Sequence, residues 1–99
     1  MTALNIDQFS QKLFNTIESK NVSNTLILIQ EFKENIKTNS DYVMWITEPV
    51  NLNAVQKSLT ENLGIPQKAM MIKVRRGSSR GLRASFFLQA MENSLKRVS

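Results

Sequence analysis

Residues 48–81 read EPVNLNAVQKSLTENLGIPQKAMMIKVRRGSSRG, and the fold class depends on how this stretch is interpreted. Its first half predicts an amphipathic helix that follows Asn53 as N-cap and ends at Gly64. Pro66 suits the first turn of a second helix. The apolar stripe that supports the first helix comprises Ala54, Val55, Leu59 and Leu63.

The second half of the stretch fits two local structures. A helix over 66–76 is one of them, but Met70, Ile72 and Val74 alternate there with Met71, Lys73 and Arg75, which is the period of a strand. In the strand interpretation, residues 69–76 and 82–87 pair as a β-hairpin around the GSSRG turn at 77–81. Both interpretations stay open at this point, and both place a cationic protrusion beside the turn.

Positive charge is concentrated late in the chain. Residues 1–63 contain five Lys or Arg and seven Asp or Glu, a net charge of −2. Residues 64–99 contain eight cations and one acid, Glu92, a net charge of +7. Between Lys68 and Arg83 there are six cations and no acid. A one-sided field of this kind attracts polyanions, of which nucleic acid is the commonest for a small basic protein.

The stretch 48–81 resembles the helix-turn-helix of bacterial and phage regulators, particularly winged-helix ones. Those proteins run from a short β-strand (here PV) into a first helix (LNAVQKSLTENLGI), a second helix (PQKAMMIKVRR) and a wing turn (GSSRG). Gly64 matches the turn glycine, and Thr60 takes the position usually held by a small residue. The sequence departs from the pattern at Lys73, where a late apolar position of the second helix is expected. The packing positions of the motif fall on Leu59, Leu63, Ile65 and Met70.

The resemblance implies an α+β, mostly helical fold: a winged-helix-like single domain over 1–99 with a short basic β-hairpin or helix-turn-helix unit. Residues 50–83 would form the nucleic-acid-binding unit. Residues 5–38 would form a helical layer, and residues 82–98 a C-terminal helix.

Four segments outside residues 48–81 complete the predicted fold. Apolar residues at helical spacing predict helices over Asp7–Lys20 and Thr25–Lys37, although the aliphatic run at 26–29 alone could also start a strand. YVMWI, at 42–46, is rich in β-forming residues and predicts a short strand, with Tyr42 and Trp45 in the core rather than stacked on bases. One apolar stripe predicts that the C-terminal helix packs on its own core or forms a dimer seam; it comprises Ala84, Leu88, Met91, Leu95 and Val98.

Enzyme chemistry is not expected. The chain has no cysteine and no histidine, which excludes disulfides, thiol nucleophiles, Cys/His zinc sites and histidine acid–base catalysis. The acidic residues are scattered, and GSSRG lacks the Gly-Lys-Ser/Thr ending of a P-loop. We therefore predict no catalytic residue, no cofactor and no metal. The N-terminus shows no signal peptide and no apolar run is long enough to span a bilayer, so a cytoplasmic location away from membranes is expected.

The candidate binding residues all lie in the basic segment 66–83. Arginine pairs bidentately with phosphate oxygens or a guanine edge, and serine hydroxyls donate to phosphates. The predicted nucleic-acid-binding site comprises Gln67, Lys68, Lys73, Arg75, Arg76, Ser78, Ser79, Arg80 and Arg83. In the helix interpretation, the residues that face the bases are Gln67, Lys68, Met71 and Arg75.

These patterns predict a small basic DNA-binding protein, a regulator or a replication or transfer accessory factor, that binds duplex DNA as a homodimer. Two alternatives stay open. One is an RNA-binding module that uses the same basic segment. The other is a protein-interaction subunit whose basic tip docks on an acidic partner.

Overall fold

The computed structural model describes residues 5–70, 77 and 79–98. Within those ranges the chain forms five α-helices and one 3₁₀ helix, and no strand. The elements, in chain order, are α1 (Ile6–Glu18), α2 (Val22–Ile36), α3 (Ser40–Thr47), α4 (Pro49–Leu63), the 3₁₀ helix (Gln67–Met70) and α5 (Arg80–Val98).

The predicted α+β fold is therefore wrong, and its first error is the strand at 42–46. These residues lie in α3, which begins after Asn39; the Asn39 side chain accepts a hydrogen bond from the Asp41 amide at 2.9 Å. Tyr42 and Ile46, one helical turn apart, are 1% and 0% exposed. Burial of that i, i+4 pair decides the local structure, since β propensity is a weak preference that tertiary packing overrides.

The short PV strand and the Asn53 cap are also wrong, because α4 begins at Pro49, five residues before the start that an Asn53 cap implies. Proline is well tolerated at the first helical position, where its missing N–H has no intrahelical partner anyway. The end of this helix is as predicted. Gly64 has φ 68° and ψ 22°, and its amide donates to the Thr60 carbonyl at 3.1 Å. A left-handed residue of this kind is the usual helix terminator, and glycine adopts it without steric cost.

The β-hairpin prediction fails at its second strand. Residues 82–87 lie in α5, and Arg80 and Gly81 of the predicted wing turn form its first turn. Ser79 starts the helix: its side-chain oxygen accepts from the Leu82 amide at 3.3 Å and its carbonyl from the Arg83 amide at 3.1 Å. The winged-helix interpretation is therefore wrong. Of the first predicted strand, 69–70 belong to the 3₁₀ helix, and 71–76 lie outside the described residues.

Aromatic side chains join α1, α2 and α3 at one end of the core. The ring of Phe32 lies 5.0 Å from that of Phe9, 5.4 Å from Tyr42 and 5.6 Å from Trp45. The first two contacts are edge-to-face, the arrangement that such rings favour. Burial raises the pKa of the Tyr42 hydroxyl. The prediction that Tyr42 belongs to the core is confirmed, and Trp45 packs against that core while half-buried.

Helix α5 supplies the other side of the core and packs against α2, α3 and the 3₁₀ helix. The prediction that the C-terminal stripe packs on the chain's own core is confirmed, except that Val98 is 47% exposed. Because the stripe is buried within one chain, it is not free to form the alternative dimer seam. None of the described helices is long and apolar enough to cross a bilayer. The buried apolar residues of α5 are Ala84, Phe87, Leu88, Met91 and Leu95.

Candidate nucleic-acid interface

The 3₁₀ helix holds the first part of the basic segment against the core. Ile65, two residues before it, and Met70, its last residue, are both fully buried. The Thr60 hydroxyl donates to the Ile65 carbonyl at 2.7 Å, which ties the turn after α4 to the helix before it. Between these two anchors, Gln67 and Lys68 are exposed. The local fold therefore presents both side chains to solvent on a short, well-anchored segment.

The start of α5 presents the second part of the basic segment. Arg80 and Arg83 are exposed and lie three residues apart, so they share one side of the helix. The first turn contains no acidic residue. A helix N-terminus carries a partial positive charge of about half a unit, and these two guanidinium groups add to it. Ser79 uses its oxygen as an acceptor for the helix, which leaves its O–H available as a donor.

Arg80 and Arg83 line one side of a groove of about 340 Å³ whose other side is the α3–α4 corner. The corner contributes a carboxylate, Glu48, to which the Asn51 side-chain amide donates at 3.3 Å. Neither arginine forms an ion pair with any residue that the structure describes, and the same holds for Lys68. The remaining lining residues are Met44, Thr47 and Pro49.

The structure thus describes five of the nine predicted site residues and leaves four aside. Arg80 and Arg83 are brought together at one groove, with Ser79 next to them in the chain. Gln67 and Lys68 lie on the 3₁₀ helix, which packs against α5. The other four lie outside the described residues; they are Lys73, Arg75, Arg76 and Ser78. Met71, which the helix interpretation predicted to face the bases, also lies outside the described residues.

Two features of this end of the molecule were missed from the sequence. The first is the α3–α4 corner, since only the tertiary fold brings Glu48 beside arginines that follow it by more than thirty residues. The second is the exposure of Leu82 and Phe86, which are 50% and 49% exposed on α5. A signal for the second existed in the sequence, because both residues fall off the buried stripe that begins at Ala84.

Comparisons with known proteins supply no relative for this chain: no protein-family model, no curated protein and no solved structure matches it. Among the described residues there is also no cluster of three or more His, Cys, Asp or Glu that could hold a metal ion. The interface therefore has to be judged from its own geometry and charge.

Proposed function

We propose that this protein is a small basic DNA-binding protein, of the regulatory or accessory kind, that contacts nucleic acid through residues 66–83. The observation that carries the proposal is that the described cations of that segment are exposed and have no described acidic partner. Lys68, Arg80 and Arg83 are exposed, none is neutralised by a described acid, and two of them share the positive end of a helix.

The sequence strengthens this electrostatic argument. The same segment contains Lys73, Arg75 and Arg76, and no acid separates Lys68 from Arg83. If all six cations of the segment contacted phosphates, the logarithm of affinity would fall with the logarithm of salt with a slope of about −5. Affinity would then drop about a thousandfold between about 50 and 200 mM salt.

The mechanism is phosphate contact rather than a wing or a recognition helix. The guanidinium groups of Arg80 and Arg83 can each donate two parallel hydrogen bonds to one phosphate. The Ser79 hydroxyl, next to Arg80 in the chain, can donate one more hydrogen bond. Glu48, across the groove, repels phosphate from the α3–α4 side and so favours contact from the α5 side. Such contacts position a nucleic acid without reading its sequence. A cytoplasmic location, expected from the sequence, agrees with a ligand of this kind.

The decisive experiment is fluorescence anisotropy with labelled DNA at two salt concentrations. The double variant Arg80→Gln/Arg83→Gln should weaken binding by about tenfold or more at low salt and reduce the salt slope by about 2. The matched control is Lys12→Gln/Lys20→Gln, which removes the same charge from exposed positions in and just after α1. Its effect should stay within about twofold to threefold, through long-range electrostatics alone.

Equal losses in the two double variants would contradict the proposed surface, because the binding would then depend on net charge only. Failure of the unaltered protein to bind DNA or RNA at low salt would overturn the proposal. That result would favour the alternative in which the basic segment docks on an acidic protein.

A further inference from the structure

We propose that the ligand is a single-stranded nucleic acid, with an unpaired base stacked on Phe86 and its phosphates on the neighbouring arginines. This inference rests on the proposed function and names the form of nucleic acid that the same site takes. It replaces the expectation of a duplex, which depended on a winged-helix fold that the structure does not have.

The first observation is the exposure of Phe86. The chain contains five phenylalanines, one tyrosine and one tryptophan, and the structure describes all of them. Phe86 is 49% exposed, and every other aromatic residue is buried or half-buried. The next residue, Phe87, is 1% exposed and supplies the aromatic ring that the core takes from this part of α5. Phe86 is therefore not required by the packing of the domain.

The second observation is the set of neighbours around Phe86 on the helix surface. Leu82 lies one turn before it at i−4 and is 50% exposed, so the two side chains form a small apolar surface. Arg83, at i−3, is also a neighbouring position on the helix surface, and Arg80 lies one turn before Arg83. An exposed aromatic ring with cations on one side is the combination that single-strand binders use: bases stack on the ring while the backbone contacts the positive charges.

The form of the ligand follows from which surfaces a base offers. In a duplex, both faces of each base are covered by its stacked neighbours, and only the edges are open in the grooves. A ring on the surface of a helix stacks without further cost only on a base whose face is free, since a duplex step would first have to be unstacked. A single strand exposes those faces and still carries the phosphates that Arg80 and Arg83 require.

The test compares the affinities of single-stranded DNA, single-stranded RNA and duplex DNA of one sequence. Phe86→Ala should weaken binding of a single strand about tenfold, within the range known for loss of one stacked base. Phe86→Trp should retain the affinity, whereas Phe86→Leu, which keeps an apolar side chain without a ring, should behave like the alanine variant. Duplex binding should change by less than about twofold in all three. Ile27→Ala, which truncates another exposed apolar side chain, serves as the control.

Binding of single-stranded DNA or RNA that depends on Phe86 supports the inference, and the strand with the higher affinity identifies the ligand. A second readout uses Phe86→Trp in a Trp45→Phe background, where the introduced indole should lose fluorescence when a base stacks on it. Because Phe86 is exposed, thermal unfolding of the alanine variant should match that of the unaltered protein.

Three outcomes would overturn the inference, and one of them would also overturn the proposed function. If Phe86→Ala binds single strands normally while Arg80→Gln/Arg83→Gln does not, the proposed function stands and the stacking role fails. If Phe86→Ala changes the oligomeric state but not the affinity for oligonucleotides, a second copy of the chain covers this face instead. If no nucleic acid binds at low salt, both proposals fail.

Discussion

Glu92 shows how a single residue can stabilise this fold through charge. Its carboxylate lies between α2 and α5, where it accepts hydrogen bonds from Lys33 Nζ at 2.8 Å and Lys96 Nζ at 2.9 Å. Its side chain is only 8% exposed. The hydrogen bond from Lys33, with that from Lys96, lowers the pKa of Glu92 to about 2, although burial acts in the opposite direction.

This geometry predicts a pH-dependent contribution to stability. Replacement Glu92→Gln should reduce the free energy of unfolding at neutral pH by about 1–3 kcal/mol, because two charge-assisted hydrogen bonds weaken and Lys33 loses its counter-charge. The pKa is lower in the folded chain than its ordinary value of 4.5, so the contribution is complete above about pH 4.5. It is lost as the pH falls toward 2. Urea unfolding at several pH values measures both effects.

The exposed pair of Lys37 and Glu34 provides the control for Glu92. Its atoms are 3.2 Å apart, but the two side chains are 68% and 74% exposed. Glu34→Gln should therefore change the free energy of unfolding by less than about 0.5 kcal/mol. If both glutamine variants were equally stable across the pH range, the Glu92 ion pairs would contribute nothing to the fold.

At the scale of elements, the termini of helices were predictable where the chemistry is local. Gly64 ends α4 as expected, because a left-handed terminator depends on that residue alone. The apolar spacing before and after it correctly indicated helices at α1, α2 and α5. The strand at 42–46 was wrong because aromatic and β-branched residues have only a weak local preference. Tyr42 is held in a helix by its contacts with Phe9 and Phe32, which are distant in the chain.

Two glycines at helix ends test whether the local backbone conformation determines these termini. Gly64 has φ 68°, and an added Cβ would meet no atom within 4 Å, so only backbone strain opposes a side chain there. Gly64→Ala should cost about 1–2 kcal/mol of unfolding free energy. Gly81 lies in the first turn of α5 without a positive φ, and its Cβ would approach only Ser79 Oγ, at 3.9 Å.

Gly81→Ala should therefore be neutral or stabilising by about 0.5 kcal/mol, since alanine has the higher helix propensity. Thermal or urea unfolding of the two single variants measures the contrast. A loss of stability in Gly81→Ala equal to that in Gly64→Ala would mean that residues around 81 do not form a helix in solution, and would reopen the turn interpretation of GSSRG.

Over the whole molecule, the candidate site was predictable in composition but not in shape. The cluster of cations from Lys68 to Arg83 is evident in the sequence because charge needs no fold to be counted. Which cations share a groove depends on the packing of α5 against α3. The partners across that groove depend on the same packing, whereas the exposure of Phe86 follows from its position off the buried stripe of α5. Helical periodicity alone indicated the buried face of α5 and left its outer face without an assigned role.

The homodimer remains a prediction, and it concerns the molecule as a unit. One chain with a few phosphate contacts binds weakly at physiological salt, whereas two linked copies raise the effective concentration of the second site. A stable dimer needs about 800 Å² of surface from each partner, roughly an eighth of the 6527 Å² that this chain exposes. That area has to come from a surface other than the C-terminal stripe, which is already buried.

Sedimentation equilibrium of the free protein should therefore give twice the mass of the 11.3 kDa chain, and titration with an oligonucleotide should saturate at two chains per site. The expected dimer should survive in high salt, because surfaces that carry the same basic segment repel one another and the contact has to be apolar. A monomer that binds one chain per oligonucleotide would contradict the prediction. Affinity would then have to come from the basic segment and Phe86 of a single copy.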